Sequence, residues 1–140
     1  MKFDWEKHKS VIIVDENLPL GLAMNAVSVI GVSFGRIIED IVGHDVSSLD
    51  DIIYPGVVKS PLPILKASQL SLNEMQHSLT QAEGMILMPF SSLAQSCKTY
   101  KEYEEKLSKS NSQDLPLSGL GVFGSKKQVN KSTGSLPLYK

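Results

Sequence analysis

The chain is poor in several things that usually disclose a function. It has one cysteine, Cys97, in 140 residues, which excludes an internal disulfide and points to a reduced setting. It has almost no net charge, -1 at pH 7, so no general basic field draws nucleic acid or an anionic membrane surface. Its histidines, His8, His44 and His77, are scattered. None stands at ligand spacing from another histidine or from Cys97, which argues against a metal centre. No run approaches the roughly 20 apolar residues of a membrane span. The opening MKFDWEKHKS is charged, unlike a secretory signal. GVFGSKK has the glycines and lysines of a phosphate loop. It lacks the spacing of that loop and the Ser or Thr after the lysine, and no clear helix pattern follows. These absences favour a cytoplasmic protein with no membrane partner, no cofactor and no nucleic acid.

What is present fits one globular domain, residues 1–140. The apolar share of 41% suffices for a single core. Lys9 to Asp15, KSVIIVD, reads as a buried strand. The turn ENLPLG leads into GLAMNAVSVIGVSF, Gly21 to Phe34, which is apolar nearly all round and reads as a buried helix. Ile37 to Ser60 has short apolar pieces and many turn residues, and reads as irregular. Leu62 to Ala67 gives a second core strand whose prolines suggest its start or a sheet edge. Ser71 to Glu74, SLNE, has the form of a capping box, followed by Leu72, Met75, Leu79 and Ala82 on one helical face and Gly84 as a stop. Met85 to Phe90 is a third strand. SLAQ, Ser92 to Gln95, starts another helix, striped by Leu93, Cys97, Tyr100 and Leu107. Ser118 to Ser125 is a Gly-rich fourth strand. The chain then ends with a turn at Thr133-Gly134 and the alternating pair Leu136 and Leu138, expected to dock on one face. This strand–helix alternation predicts a layered α/β domain: a sheet of about four strands with helices on both faces.

Few side chains stand out as chemistry. Cys97 lies on an apolar stripe with no flanking histidine, so it reads as a small core residue rather than a nucleophile. Asn25 is an amide inside an apolar helix, so it is either satisfied by structure or faces a ligand. Ser28 lies one turn along on the same side. Lys66 is a charge near a strand end, where open α/β sheets place ligands, or it is simply solvated. Lys126, Lys127 and Lys131 form a basic cluster that is either a wet face or an anion site.

SVIIVDENLPLGLAMNAV, PILKAS with its following helix, and the terminal VNKSTGSLPLYK together resemble the Domain of Unknown Function 2000 family, across most of the chain. LPLGLAMNA and VNKSTGSLPL carry most of the specificity. That family in turn resembles peptidyl-tRNA hydrolase of the second structural type. The resemblance implies a mixed four-stranded sheet in a three-layer arrangement, a tail belonging to the body of the fold, and often a homodimer. It does not carry over the hydrolase site. Where the hydrolase has an acid, a lysine, a glutamine and a histidine, this chain has Asn17, Leu22, Ala26 and Val29. Its Asp-Ala-Gly-Arg-Thr segment has no counterpart between Phe90 and Gln95. Ester hydrolysis needs a base or positioned water and stabilisation of the oxyanion, so catalytic residues are expected to be absent. The expectation is a small polar or anionic ligand, or a protein partner, with Asn25, Ser28, Lys66, Lys131 and Thr133 as candidate binding residues. The alternatives are a hydrolase-like or nucleotide-handling enzyme rebuilt from Asn25, Lys66, Lys131 and Thr133, and an RNA-binding remnant using Lys126 to Lys131.

Overall fold

The first apolar run forms β1, His8–Asp15, in a computed structural model that describes residues 1–140. Then come α1, Leu20–Ile37, and a small hairpin of β2, Val46–Ser47, and β3, Ile53–Tyr54. They are followed by β4, Ile64–Ala67, α2, Gln69–Thr80, and β5, Ile86–Ser91. Two short helices, α3, Ser92–Ser96, and α4, Tyr100–Leu107, precede β6, Leu117–Ser125, and α5, Lys126–Thr133. The main sheet has four strands in the order β4-β1-β6-β5. β1 is parallel to β4 and antiparallel to β6, and β6 is antiparallel to β5. The sheet is therefore mixed, as expected.

Alternation along β1 sends successive side chains to opposite faces. Ile12 and Val14 pack with Ala23, Ala26, Ile30 and Phe34 of α1, and Ala94 of α3 joins them. Val11 and Ile13 pack with Leu72 of α2 and Val129 of α5. Helices thus cover both faces, which makes three layers. The seating of α1 depends on Gly121 in β6. A Cβ there would lie 2.5 Å from Phe34 Cζ and 2.6 Å from Ile30 Cγ2, so only a bare backbone admits the helix at this depth.

Several expectations change on contact with the structure. α1 is not buried all round: Leu20, Met24 and Val32 face outward, Val32 at 77% exposure. It also amends the reading that no run nears membrane length. With 18 residues and a mean hydropathy of 1.5, it is long and apolar enough to cross a bilayer, although one face is here spent on the sheet. α2 is capped by Ser68, whose Oγ accepts from the Ser71 amide at 3.1 Å, so Ser71 sits in the first turn. In a serine-rich stretch the extended residue ahead of the turn takes the cap. The same holds at α3, where Ser91 caps in place of Ser92. The expected long helix after β5 is broken at Cys97, which is extended, because Thr99 accepts from the Glu102 amide and starts a new helix. Cys97 is accordingly half-buried at a junction, not a core residue. α2 ends at Thr80, with Gln81 as its cap, so the expected stop at Gly84 and the place of Ala82 on the helix are corrected; Gly84, at φ 75°, serves the turn that leads into β5 instead.

The segment 37–60 holds the β2–β3 hairpin, whose Val46, Ile53 and Tyr54 are all exposed. A helix does follow GVFGSKK, capped by Ser125 through the Gln128 amide. Thr133-Gly134 therefore ends α5 rather than forming a free-standing turn, with Gly134 as the helix's C-cap at φ −62°. The tail docks, but not through one face. Leu136 packs on the α2 and α5 side, Tyr139 on the α1 side, and Leu138 is exposed. Lys66 N donates to Pro137 O at 3.1 Å, and Tyr139 N to Ile64 O at 2.9 Å. The tail thus covers the otherwise open edge of β4.

Candidate functional site

The carboxyl ends of β1 and β4 meet the start of α1, the region where open α/β sheets place ligands. β1 closes on Asp15, nearly buried, whose Oδ1 accepts from the Asn17 amide at 3.0 Å and shapes the turn into the helix. α1 then runs back across the sheet. Because β4 is an edge strand of only four residues, α1 does not cover it fully. The tail fills part of the gap from the other side. Between them lies a cleft of about 420 Å³, walled by Leu20, Met24 and Val27 of α1, floored by Val14 and Ile64, and closed by Tyr139.

This cleft is apolar except at its rim. Ser28 lines it, with its hydroxyl donating to Met24 O at 2.9 Å. Lys66 is not among the residues that line the cleft, but it is in register with Val14 and two residues beyond Ile64 on the same face of β4, and both of those line it. The Lys66 ammonium makes none of the chain's ion pairs.

Asn25 points elsewhere. Its Oδ1 accepts from Gln95 Nε2 at 3.1 Å, and the same amide donates to Leu22 O at 2.9 Å. Gln95 Oε1 in turn accepts from the buried Ser118 hydroxyl at 2.8 Å. The chain of bonds ties α1 to α3 and β6, so the amide oxygen is satisfied by structure. Lys131 and Thr133 lie on the opposite face of the sheet. Lys131 borders a groove between α2 and α5 with Glu74 and Gln128. Thr133 is buried, with its hydroxyl donating to Val129 O at 2.7 Å. Of the five candidates only Ser28 lines this cleft; Lys66 is the strand neighbour of its Val14, and Asn25, Lys131 and Thr133 lie apart. The four residues of the enzyme alternative do not surround one cavity. Nor do the lysines form one groove: Lys126 and Lys131 open onto different cavities.

Two residues of this region escape sequence reasoning. Gln95 reads as part of a capping box, and only its reach to α1 gives it another role. Tyr139 stands out as an aromatic one residue from the end, but its place against Ile64 follows from a strand pairing that no local pattern announces. Around Cys97, burial pushes the Tyr103 phenol up, with Tyr100 and Cys97 adding to the shift.

Residues 8–140 match the family described as protein of unknown function, DUF2000. The chain belongs to the DUF2000 family. Its fold is similar to that of Atu0240, a protein of unknown function from Agrobacterium tumefaciens strain C58, with a TM-score of 0.86 at 13% identity. The match covers 95% of this chain and 98% of the other. At that identity the likeness concerns the fold alone. No curated protein matches the chain.

Proposed function

We propose that this DUF2000 protein has a fold like peptidyl-tRNA hydrolase of the second structural type without its activity, and that it binds a small amphipathic anion. The α1–β4–tail cleft takes the apolar body of the ligand and Lys66 takes its charge. One observation supports this reading: Lys66, which makes no ion pair, is in register with Val14 and two residues beyond Ile64, and both of those line a cleft whose walls are almost wholly apolar. Leu22, Ala26 and Val29 offer neither a base nor a cation where the resemblance would place the hydrolase's own groups, and Ala26 is fully buried, which supports the absence of that activity. The test is calorimetric titration with octanoate and with octanol, beside a peptidyl-tRNA turnover assay. Saturable binding of octanoate with no turnover is the expected result. Turnover at the rate of an authentic hydrolase, or no octanoate binding, overturns the reading.

A second reading, a protein partner, rests on the outer side of α1. At 3.6 residues per turn, Gly21, Ser28 and Gly35, spaced seven apart, run along its outward line. Met24 and Val32 flank them, exposed, and Arg36 is the helix's only charge. Small residues on such a line let a second helix approach closely, and a second copy of α1, antiparallel, would meet the same line about Ser28. Sedimentation velocity tests it: a dimer converted to monomer by Val32→Glu is expected, and a monomer at all concentrations contradicts it.

A further inference from the structure

We propose a second anion site, in the notch ahead of β4, that takes a phosphate monoester carrying a planar aromatic ring, the chemistry of a mononucleotide. The notch follows from strand lengths. β1 begins at His8, but its parallel partner β4 begins only at Ile64, opposite Ile12. Pro61 and Pro63 precede that start, and neither has an N–H to extend the ladder. The missing length of strand leaves a cavity of about 440 Å³, within the size range of small-molecule sites.

Its lining is cationic and aromatic: Trp5, His8, Lys9, Pro63, Lys126 and Asn130, with no carboxylate among the lining residues. His8 Nδ1 accepts from the Asp4 amide at 2.9 Å. That bond puts the proton of a neutral ring on Nε2, which is left as a donor. The ring is held in place against Phe123, with centroids 4.8 Å apart. The Lys9 ammonium is positioned by Asn130 Oδ1 at 2.6 Å and keeps two further protons to give. Lys126 is the first residue of α5 and lines the notch one turn from Asn130. It belongs to none of the chain's ion pairs. Asp4, the acid ahead of His8, is engaged by Lys7 and by the Glu6 amide.

Two ammoniums and an imidazole N–H, with no acid among the lining residues, suit a doubly charged anion. Trp5 adds a flat surface. Its indole is 59% exposed, open to a stacking ring. The phosphate and the ring would thus be held by different groups of one cavity.

Trp5 is the chain's only tryptophan, so its fluorescence reports on this cavity directly. The full chain is titrated with adenosine monophosphate, adenosine and inorganic phosphate, with correction for absorbed light. Saturable quenching by the monophosphate is expected, with adenosine and phosphate each weaker by about tenfold or more. Lys9→Ala and Lys126→Ala should each weaken the monophosphate by about tenfold, and Lys131→Ala, on the other groove, should leave it unchanged. Absence of saturation at millimolar ligand, or equal affinity in the lysine variants, overturns the proposal. Tighter binding of a 5′-phosphorylated oligonucleotide would move the same chemistry to an RNA end and overturn the mononucleotide assignment.

Discussion

The cleft beside β4 and the notch ahead of it are close in size, about 420 and 440 Å³, yet they are built from opposite materials. The cleft has apolar walls, with Ser28 the one polar residue among them and Lys66 the strand neighbour of Val14. The notch has two lysines, a histidine and an exposed indole. Both arise because β4 is short: four residues leave room for the tail and α1 on one side and an unfilled strand position on the other. An edge strand cut short can thus leave two cavities, and the residues that border each gap give them different linings. Burial should dominate in the cleft, where apolar area is worth roughly 25 cal/mol per Å². Charge should dominate in the notch, where binding should fall steeply with salt.

The largest effect that separates the two is removal of Ser135 to Lys140. This deletes Tyr139 from the cleft, Leu136 from the opposite core face, and two backbone bonds to β4. Unfolding in denaturant should show a loss of about 3 kcal/mol or more. Octanoate binding should vanish while monophosphate quenching of Trp5 persists. Loss of both ligands together would mean that the two cavities do not behave as separate sites.

Gly121→Ala comes next. The new methyl would collide with Phe34 and Ile30, both almost fully buried, and should cost about 1–3 kcal/mol by overpacking. Since α1 must lift, its wall of the cleft shifts and octanoate weakens more than the monophosphate. An unchanged denaturation midpoint would show that α1 does not sit at the depth described.

The smallest effect concerns Ser10, on β1 between His8 and Ile12. Its hydroxyl is fully buried and has no hydrogen-bond partner. Ser10→Ala removes an unsatisfied group and should raise stability by about 1 kcal/mol, with little change in either site. A loss of stability would mean that the hydroxyl has a partner, such as an internal water.

Much of the scaffold was legible because it depends on local pattern. VIIV could only be a buried strand in such a chain, and the alternation of strands and helices led to a layered sheet with helices on both faces. Helix starts were misplaced by one to three residues, at Ser68 and Ser91, because several serines compete for each cap. α5 was missed because KKQVNKST offers only Val129 as a large apolar anchor. Of the candidate residues, Ser28 alone lines the cleft; Lys66 is legible as a strand-end charge and Ser28 as a helical hydroxyl. The cleft itself is not, since it needs Tyr139, brought from the far end of the chain by pairing with β4. The notch was even less visible: it is a difference in length between two strands and exists only once their register is known.

The central claim is that Lys66 provides the charge for an otherwise apolar cleft, and one titration tests it. Lys66→Met keeps the side chain's length and apolar body but removes its ammonium. Octanoate and octanol are titrated into the wild type and this variant. The account predicts that octanoate weakens by about tenfold or more, equivalent to about 1.4 kcal/mol, while octanol binds both proteins equally. Equal octanoate affinity in the two proteins would contradict it.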